Sequence, residues 1–131
     1  VPTVDARVAK ETFGVLHRAI DAGLVAACHD LSEGGLAAAL AEMAFAGGLG
    51  VDVAINGKLP AAALLFSESN TRFLCEVADA EAFEQALGST KATKIGAVND
   101  GGLVRLAYAG KTAIAAETTE LKEAWQAPLR W

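Results

Sequence analysis

The chain is poor in cysteine, methionine and proline, with two, one and three of each in 131 residues, and aromatic residues make up only 6%. Two cysteines allow at most one disulfide, whereas a small secreted domain held by crosslinks carries several. Cys28 and Cys75 each lie inside an apolar run, Val25–Cys28 and Phe73–Val77, so they are expected as buried thiols in strands. Basic clusters are missing too. The eleven Lys and Arg residues are scattered and the net charge is −5. A nucleic-acid footprint needs a basic stripe that displaces counterions from phosphates, so no nucleic-acid partner is expected. Long apolar runs are also missing. The richest stretch, Leu36–Ile55, is broken by Glu42, Asp52 and several glycines, well before the ~18–20 apolar residues that cross a bilayer. No membrane partner is expected. No basic segment followed by an apolar one opens the chain, so no secretory signal is read, and the cytoplasm is the expected compartment. Val1-Pro2 in place of an initiating methionine is what a processed or excised piece of a longer protein would show.

Apolar residues, by contrast, are abundant. They make up 53% before any of the 13 glycines are counted, against roughly 45–50% with glycine included in a soluble domain. The surplus fits either a large core or a surface that another domain covers. The length suits one domain, residues 1–131.

Periodicity divides the chain into short elements. Asp5–Gly23 reads as a helix, with Val8, Leu16 and Ile20 on one stripe, Asp5 or Thr3 as its cap and Gly23 as its left-handed stop. Val25–His29 is short and apolar and reads as a buried strand. Leu31–Gly35 is a loop, and Leu36–Ala46 is a helix ended by Gly47-Gly48. Val51–Ile55 alternates like a strand, with a turn at Asn56-Gly57. Pro60–Leu65 fits neither pattern cleanly. Arg72–Val77 reads as a strand and Glu81–Leu87 as a helix. Lys94–Val98, Leu103–Tyr108 and Thr112–Ala116 are strand-like runs separated by turn signals at Asp100-Gly101-Gly102 and Ala109-Gly110. Thr119–Trp125 is a last helix, ended by Pro128. Mixed helices and strands predict an α/β (α+β layered) domain with a mixed β-sheet packed with helices.

Two segments carry chemistry. His29-Asp30-Leu31-Ser32-Glu33-Gly34-Gly35-Leu36 lies between a strand and a helix, where α/β sheets build sites. Gly34 and Gly35 allow a tight turn and close approach by a ligand, and the free amides of a helix start favour an anion. Ser32 caps the helix, donates to a phosphate, or both. Asp30 and Glu33 suit a divalent ion or a sugar hydroxyl, or else satisfy loop amides. His29 donates to a phosphate, orients Asp30, or is a hydrogen-bonded residue at a strand end. The spacing is neither that of a P-loop nor that of a dinucleotide fingerprint. Two carboxylates beside an anion site also require a metal or a cationic neighbour. In the second segment, Leu65–Phe73, Ser67, Ser69 and Asn70 offer hydroxyl and amide donors. Arg72 offers a fork for phosphate or carboxylate, or pairs with Glu68 across an ordinary turn.

His-Asp-Leu-Ser-Glu-Gly-Gly-Leu, followed by an Ala-rich helix with Ala-Glu-Met, resembles the carboxy-terminal domain of phosphoribosylformylglycinamidine synthase. Leu-Phe-Ser-Glu-Ser-Asn-Thr-Arg-Phe resembles a second signature of that family. Ile95-Gly96 and Glu123-Ala124-Trp125 fit its layout too. The resemblance implies a fold like the carboxy-terminal domain of aminoimidazole ribonucleotide synthetase, and a parent ATP-dependent C–N ligase of purine biosynthesis. That parent turns formylglycinamide ribonucleotide, ATP and glutamine-derived ammonia into formylglycinamidine ribonucleotide, ADP and phosphate. It implies ATP and Mg²⁺ as cofactors of the parent. It also implies three partners: the ATP-binding domains of the same chain, a glutaminase subunit or domain, and a small scaffold subunit. The main catalytic residues of such synthases lie in other domains, so no catalytic residue and no metal ligand is assigned here. His29, Asp30, Ser32, Glu33, Gly34, Gly35, Ser67, Glu68, Ser69, Asn70 and Arg72 are expected to line a nucleotide or phosphate, or to face a neighbouring domain. The domain alone is expected to be inactive. A free-standing ligand-binding or assembly module of the same fold is the alternative, as is a domain of a related synthetase or kinase.

Overall fold

The computed structural model describes residues 3–130. The elements run α1 (Ala6–Asp21), β1 (Ala27–Asp30), α2 (Gly35–Gly47), β2 (Gly50–Ile55), α3 (Ala61–Phe66), β3 (Phe73–Glu76) and α4 (Ala80–Leu87). After these come β4 (Gly96–Asn99), β5 (Leu103–Tyr108), β6 (Lys111–Glu117) and α5 (Thr118–Gln126), with a 3₁₀ turn over Ala127–Leu129. Local chemistry explains most of the boundaries. The Asp5 carboxylate accepts from the Arg7 and Val8 amides at 2.9 and 3.1 Å, which satisfies donors that a helix start leaves free. At the other end Gly23 has φ 72°. The Gly23 and Leu24 amides reach back to the Ile20 and Ala19 carbonyls, closing α1 in a Schellman arrangement. Asp79 caps α4 through the Ala82 amide at 3.0 Å. Pro60–Leu65, ambiguous in pattern, becomes most of α3, with Pro60 at its N-cap. A proline fits there because a helix start needs no amide from it.

The strands form a four-stranded mixed sheet, β4-β2-β5-β6, and a separate two-stranded ribbon, β1-β3. β2 and β5 are parallel, and every other pairing is antiparallel. The core of the sheet packs Val51, Val53, Val104 and Leu106 against Leu40 and Ala44 of α2 and Leu65 of α3. A second cluster joins α1 and α4 through Val15, Ala19, Phe83 and Leu87, with Cys75 and Val77 of the ribbon side against it. A small third cluster, Leu31, Leu36 and Ala39, meets Ile55, Leu74 and Ile95, which also flank the core of the sheet. An open cleft of about 810 Å³ is lined by residues of β3 and α4 and by residues of α2, β2 and β4. The mixed sheet layered with helices is the expected fold class.

Three expectations need correction. β1 is not a buried strand, because its residues alternate between half-buried and exposed. As one half of a two-stranded ribbon it has packing on one face only. Cys28 is consequently exposed and Cys75 half-buried, so neither is the buried thiol that the apolar runs suggested. The strand expected over Lys94–Val98 runs from Gly96 to Asn99. The apolar surplus is divided between core and surface: Phe13, Phe66, Trp125 and Leu129 are among the large apolar side chains left exposed. Among the described residues no helix is long and apolar enough to cross a membrane.

Candidate functional site at the start of the second helix

β1 delivers the first segment and β3 receives the second. The two strands are antiparallel with Asp30 opposite Phe73, and the Leu31 amide extends the ladder to the Arg72 carbonyl at 3.0 Å. This pairing brings Leu31–Gly35 beside Ser67–Arg72, two segments more than thirty residues apart in the chain.

The glycine pair is needed for both conformation and packing. Gly34 and Gly35 have φ 75° and 61°, a region that disfavours any side chain with a Cβ. A Cβ on Gly35 would lie 2.8 Å from the Ser67 carbonyl oxygen and 2.9 Å from the Leu65 carbonyl oxygen. The backbone after α3 therefore lies directly on the start of α2. The space that a ligand was expected to approach is filled at Gly35 by the chain itself.

Ser32 does not cap α2. The N-cap position is Gly34, which has no side chain to offer, and Ser32 contributes its carbonyl to the Gly35 amide at 3.4 Å. The carboxylate at the helix start comes from the other segment: Glu68 Oε1 accepts from the Gly34 amide at 2.9 Å. A negative group at this end is favoured by the helix dipole, so Glu68 does from a distance what Ser32 was expected to do locally. The Leu36 and Ala37 amides of the first turn have no acceptor among the described residues.

Arg72 is likewise committed within its own segment, and not to Glu68. Its Nη1 donates to Ser67 Oγ at 3.1 Å, to Ser69 Oγ at 3.0 Å and to the Ser67 carbonyl at 3.4 Å. Each hydroxyl that accepts from the guanidinium keeps its own proton to donate elsewhere. The loop turns through Thr71 at φ 65°, an unusual conformation for a β-branched residue. Asn70 is exposed at the tip.

His29 faces Asp30 and α2. Its Nδ1 lies 2.6 Å from the Asp30 carbonyl oxygen and 3.5 Å from Asp30 Oδ1, and its Nε2 lies 3.3 Å from Glu42 Oε2. A ring with oxygen acceptors at both nitrogens favours the doubly protonated form. The bond to the Asp30 carbonyl chiefly, and the Glu42 carboxylate after it, raise the His29 pKa above the ordinary value, while partial burial opposes them.

Two members of this arrangement, Glu42 and Thr71, were not singled out as site residues. Glu42 had a signal, because it is the only charged residue in α2. Thr71 had none, since a threonine in the left-handed region looks like any other threonine in sequence. Asp30, Glu33 and Glu68 are exposed and Glu42 is half-buried, so carboxylates outnumber the basic side chains Arg72 and His29. Among the described residues no group of three or more His, Cys, Asp or Glu is arranged to hold a metal ion.

A family model described as AIR synthase related protein, C-terminal domain, matches residues 1–109. Over 86 residues the chain is 46% identical to phosphoribosylformylglycinamidine synthase subunit PurL of Erythrobacter litoralis (strain HTCC2594), which is 66% of this chain and 12% of that subunit. Among solved structures, Thermotoga maritima PurL complexed with ATP superposes with a TM-score of 0.75 at 20% identity, over 86% of this chain and 21% of that one. The structure of PurLQS from the same organism gives 0.76 at 19% identity, over 91% and 22%. At such identities the structural likeness speaks to the fold. The chain spans a small part of each relative's length. It belongs to the family of AIR synthase related proteins, as their C-terminal domain.

Proposed function

We propose that the chain is a single domain forming the carboxy-terminal part of a larger phosphoribosylformylglycinamidine synthase, and that it faces a neighbouring domain of that enzyme. The parent would be the cytoplasmic, ATP-dependent C–N ligase of purine biosynthesis, making formylglycinamidine ribonucleotide from formylglycinamide ribonucleotide and glutamine-derived ammonia. ATP and Mg²⁺ belong, on this reading, to its ATP-binding domains. Ammonia comes from the glutaminase subunit or domain, and a small scaffold subunit completes the complex. One observation carries the reading: both signature segments converge on one helix start, joined by the Glu68–Gly34 bond.

The residues of that face suit an interface better than a self-sufficient nucleotide pocket. The Gly34 amide is already taken by Glu68, and the approach to Gly35 is filled by the backbone of residues 65–67. The surplus of carboxylates would repel a phosphate that arrived without cations. Phe66, next to Ser67, is 54% exposed, as expected of a side chain that another domain covers. No step of the parent reaction is therefore assigned to this chain.

The test is a domain exchange. The chain replaces the matching segment of the Erythrobacter subunit in a purine-requiring host. Growth without purines is the expected result. A chimera that accumulates folded and leaves the host purine-requiring contradicts the assignment. Calorimetry of the isolated chain with ATP, ADP and formylglycinamide ribonucleotide separately tests self-sufficiency. No binding is expected, and micromolar binding would favour a free-standing module.

A further inference from the structure

We propose that Cys28 and Cys75 are a dithiol modification site, which a small-molecule disulfide such as oxidised glutathione converts to an intrachain disulfide that clamps β1 to β3. The two residues are direct partners across the ribbon, and their sulfurs are 3.7 Å apart. The ladder parity is favourable. The Leu31 amide bonds to the Arg72 carbonyl, so pairs alternate from there and Cys28–Cys75 falls on a non-hydrogen-bonded pair. At such pairs the Cα atoms approach to about 4.5 Å, inside the ~4.4–6.8 Å that a disulfide spans. A bond of about 2.05 Å then needs side-chain rotation rather than movement of the strands.

The roles of the two sulfurs differ. Cys28 is exposed and accepts the Cys75 S–H, so it is the one that an external disulfide reaches; partial burial raises its pKa, and the bond from Cys75 offsets part of that rise. Cys75 is pushed up to about 12 by burial first, then by the charge of Cys28 and by its own bond to it. Capping Cys28 removes the last two causes while burial still raises the Cys75 thiol, so attack by Cys75 is the slower step and is driven by its 3.7 Å approach to the Cys28 sulfur. The Cys28 thiolate attacks one sulfur of glutathione disulfide. The S–S bond breaks, a Cys28–glutathione disulfide forms, and one glutathione leaves as a thiolate that takes up the proton Cys28 released. The Cys75 thiolate then attacks Cys28 Sγ, and the second glutathione leaves and takes the proton from Cys75. Two protein thiols are oxidised and one glutathione disulfide is reduced to two glutathiones, with no other electron acceptor.

The position gives the bond a consequence. β1 ends where Leu31–Gly35 begins and β3 begins where Ser67–Arg72 ends, so a clamp between them stiffens the frame that carries both segments. The inference rests on the ribbon alone, and holds whatever that face binds.

The experiment equilibrates the chain at pH 8 in buffers of rising oxidised-to-reduced glutathione ratio. The reaction is quenched in acid, remaining thiols are labelled under denaturing conditions, and the peptides are mapped. Both thiols should disappear together in a monomer, giving a Cys28–Cys75 crosslinked peptide that dithiothreitol reverses. The oxidised chain should melt higher by about 10 °C, because the clamp closes a long loop. Cys75→Ser should stop at a stable glutathione adduct on Cys28. Both thiols still free in the most oxidising buffer, in a chain folded by circular dichroism, would overturn the proposal. So would crosslinks that join two chains.

Discussion

The four-stranded sheet and the two-stranded ribbon solve different problems with similar sequence material. Both contain short apolar strands, yet β5 places Leu106 at 1% exposure and Val104 at 3%, while every residue of β3 is only half-buried and β1 is exposed at every second position. The sheet has α2 and α3 across its inner face, whereas the ribbon touches α2 through His29 and Leu74 and the α1–α4 pair through Phe73 and Cys75, and neither of its strands is fully buried. The segments with chemical character are attached to the ribbon. The lesson is a division of labour, in which the sheet holds most of the stability and the less protected element presents the polar face.

The largest expected effect lies in the sheet. Leu106→Ala removes a side chain surrounded by the main core and should cost about 2–5 kcal/mol by denaturant unfolding. A loss no greater than that of a half-buried ribbon residue such as Leu74→Ala would break the comparison. Next comes the junction between the two regions. Gly35→Ala forces a Cβ toward the Ser67 and Leu65 carbonyls at positive φ, and should cost ~1–3 kcal/mol. Its damage should appear as faster amide exchange around Gly34 and Ser67, with β5 protected.

A smaller effect concerns pH. His29 has a raised pKa when folded, so its stabilising contribution is complete below the unfolded value and is lost as pH rises through the folded value. Melting temperature should therefore fall across that window in the native chain and fall less in His29→Gln. The same slope in both would remove His29 from the account. The smallest effect is also the sharpest test of how the helix begins. Ser32→Ala should change stability by no more than about 0.5 kcal/mol, whereas a capping serine would cost about 0.5–2 kcal/mol. A loss in the capping range would show that Ser32 does what the structure assigns to Glu68.

Much of the fold is legible in the sequence because its signals are local. Asp5, Asp79, Gly23 and Gly48 mark helix ends within a turn of the residues they serve, and alternation in Val51–Ile55 and Leu103–Tyr108 marks strands. The partners of those strands are not legible. Whether β1 pairs with β3 or joins the larger sheet depends on contacts between residues far apart in the chain, which no periodicity encodes. The same limit explains the site. Both segments stand out by composition, and the glycine pair signals a tight turn. Ser32 nevertheless looked like the cap because it is near, while Glu68 reaches the same helix from 34 residues away. The cysteines were misjudged because an apolar run signals burial only when both faces of its strand are covered.

The central claim is that the two segments form one face, joined where Glu68 holds the Gly34 amide. Hydrogen exchange at that single amide tests it most directly, in the native chain and in Glu68→Ala. The account predicts a protected Gly34 amide that loses its protection in the variant while the amides of β5 keep theirs. A Gly34 amide that exchanges at the same rate in both would contradict it.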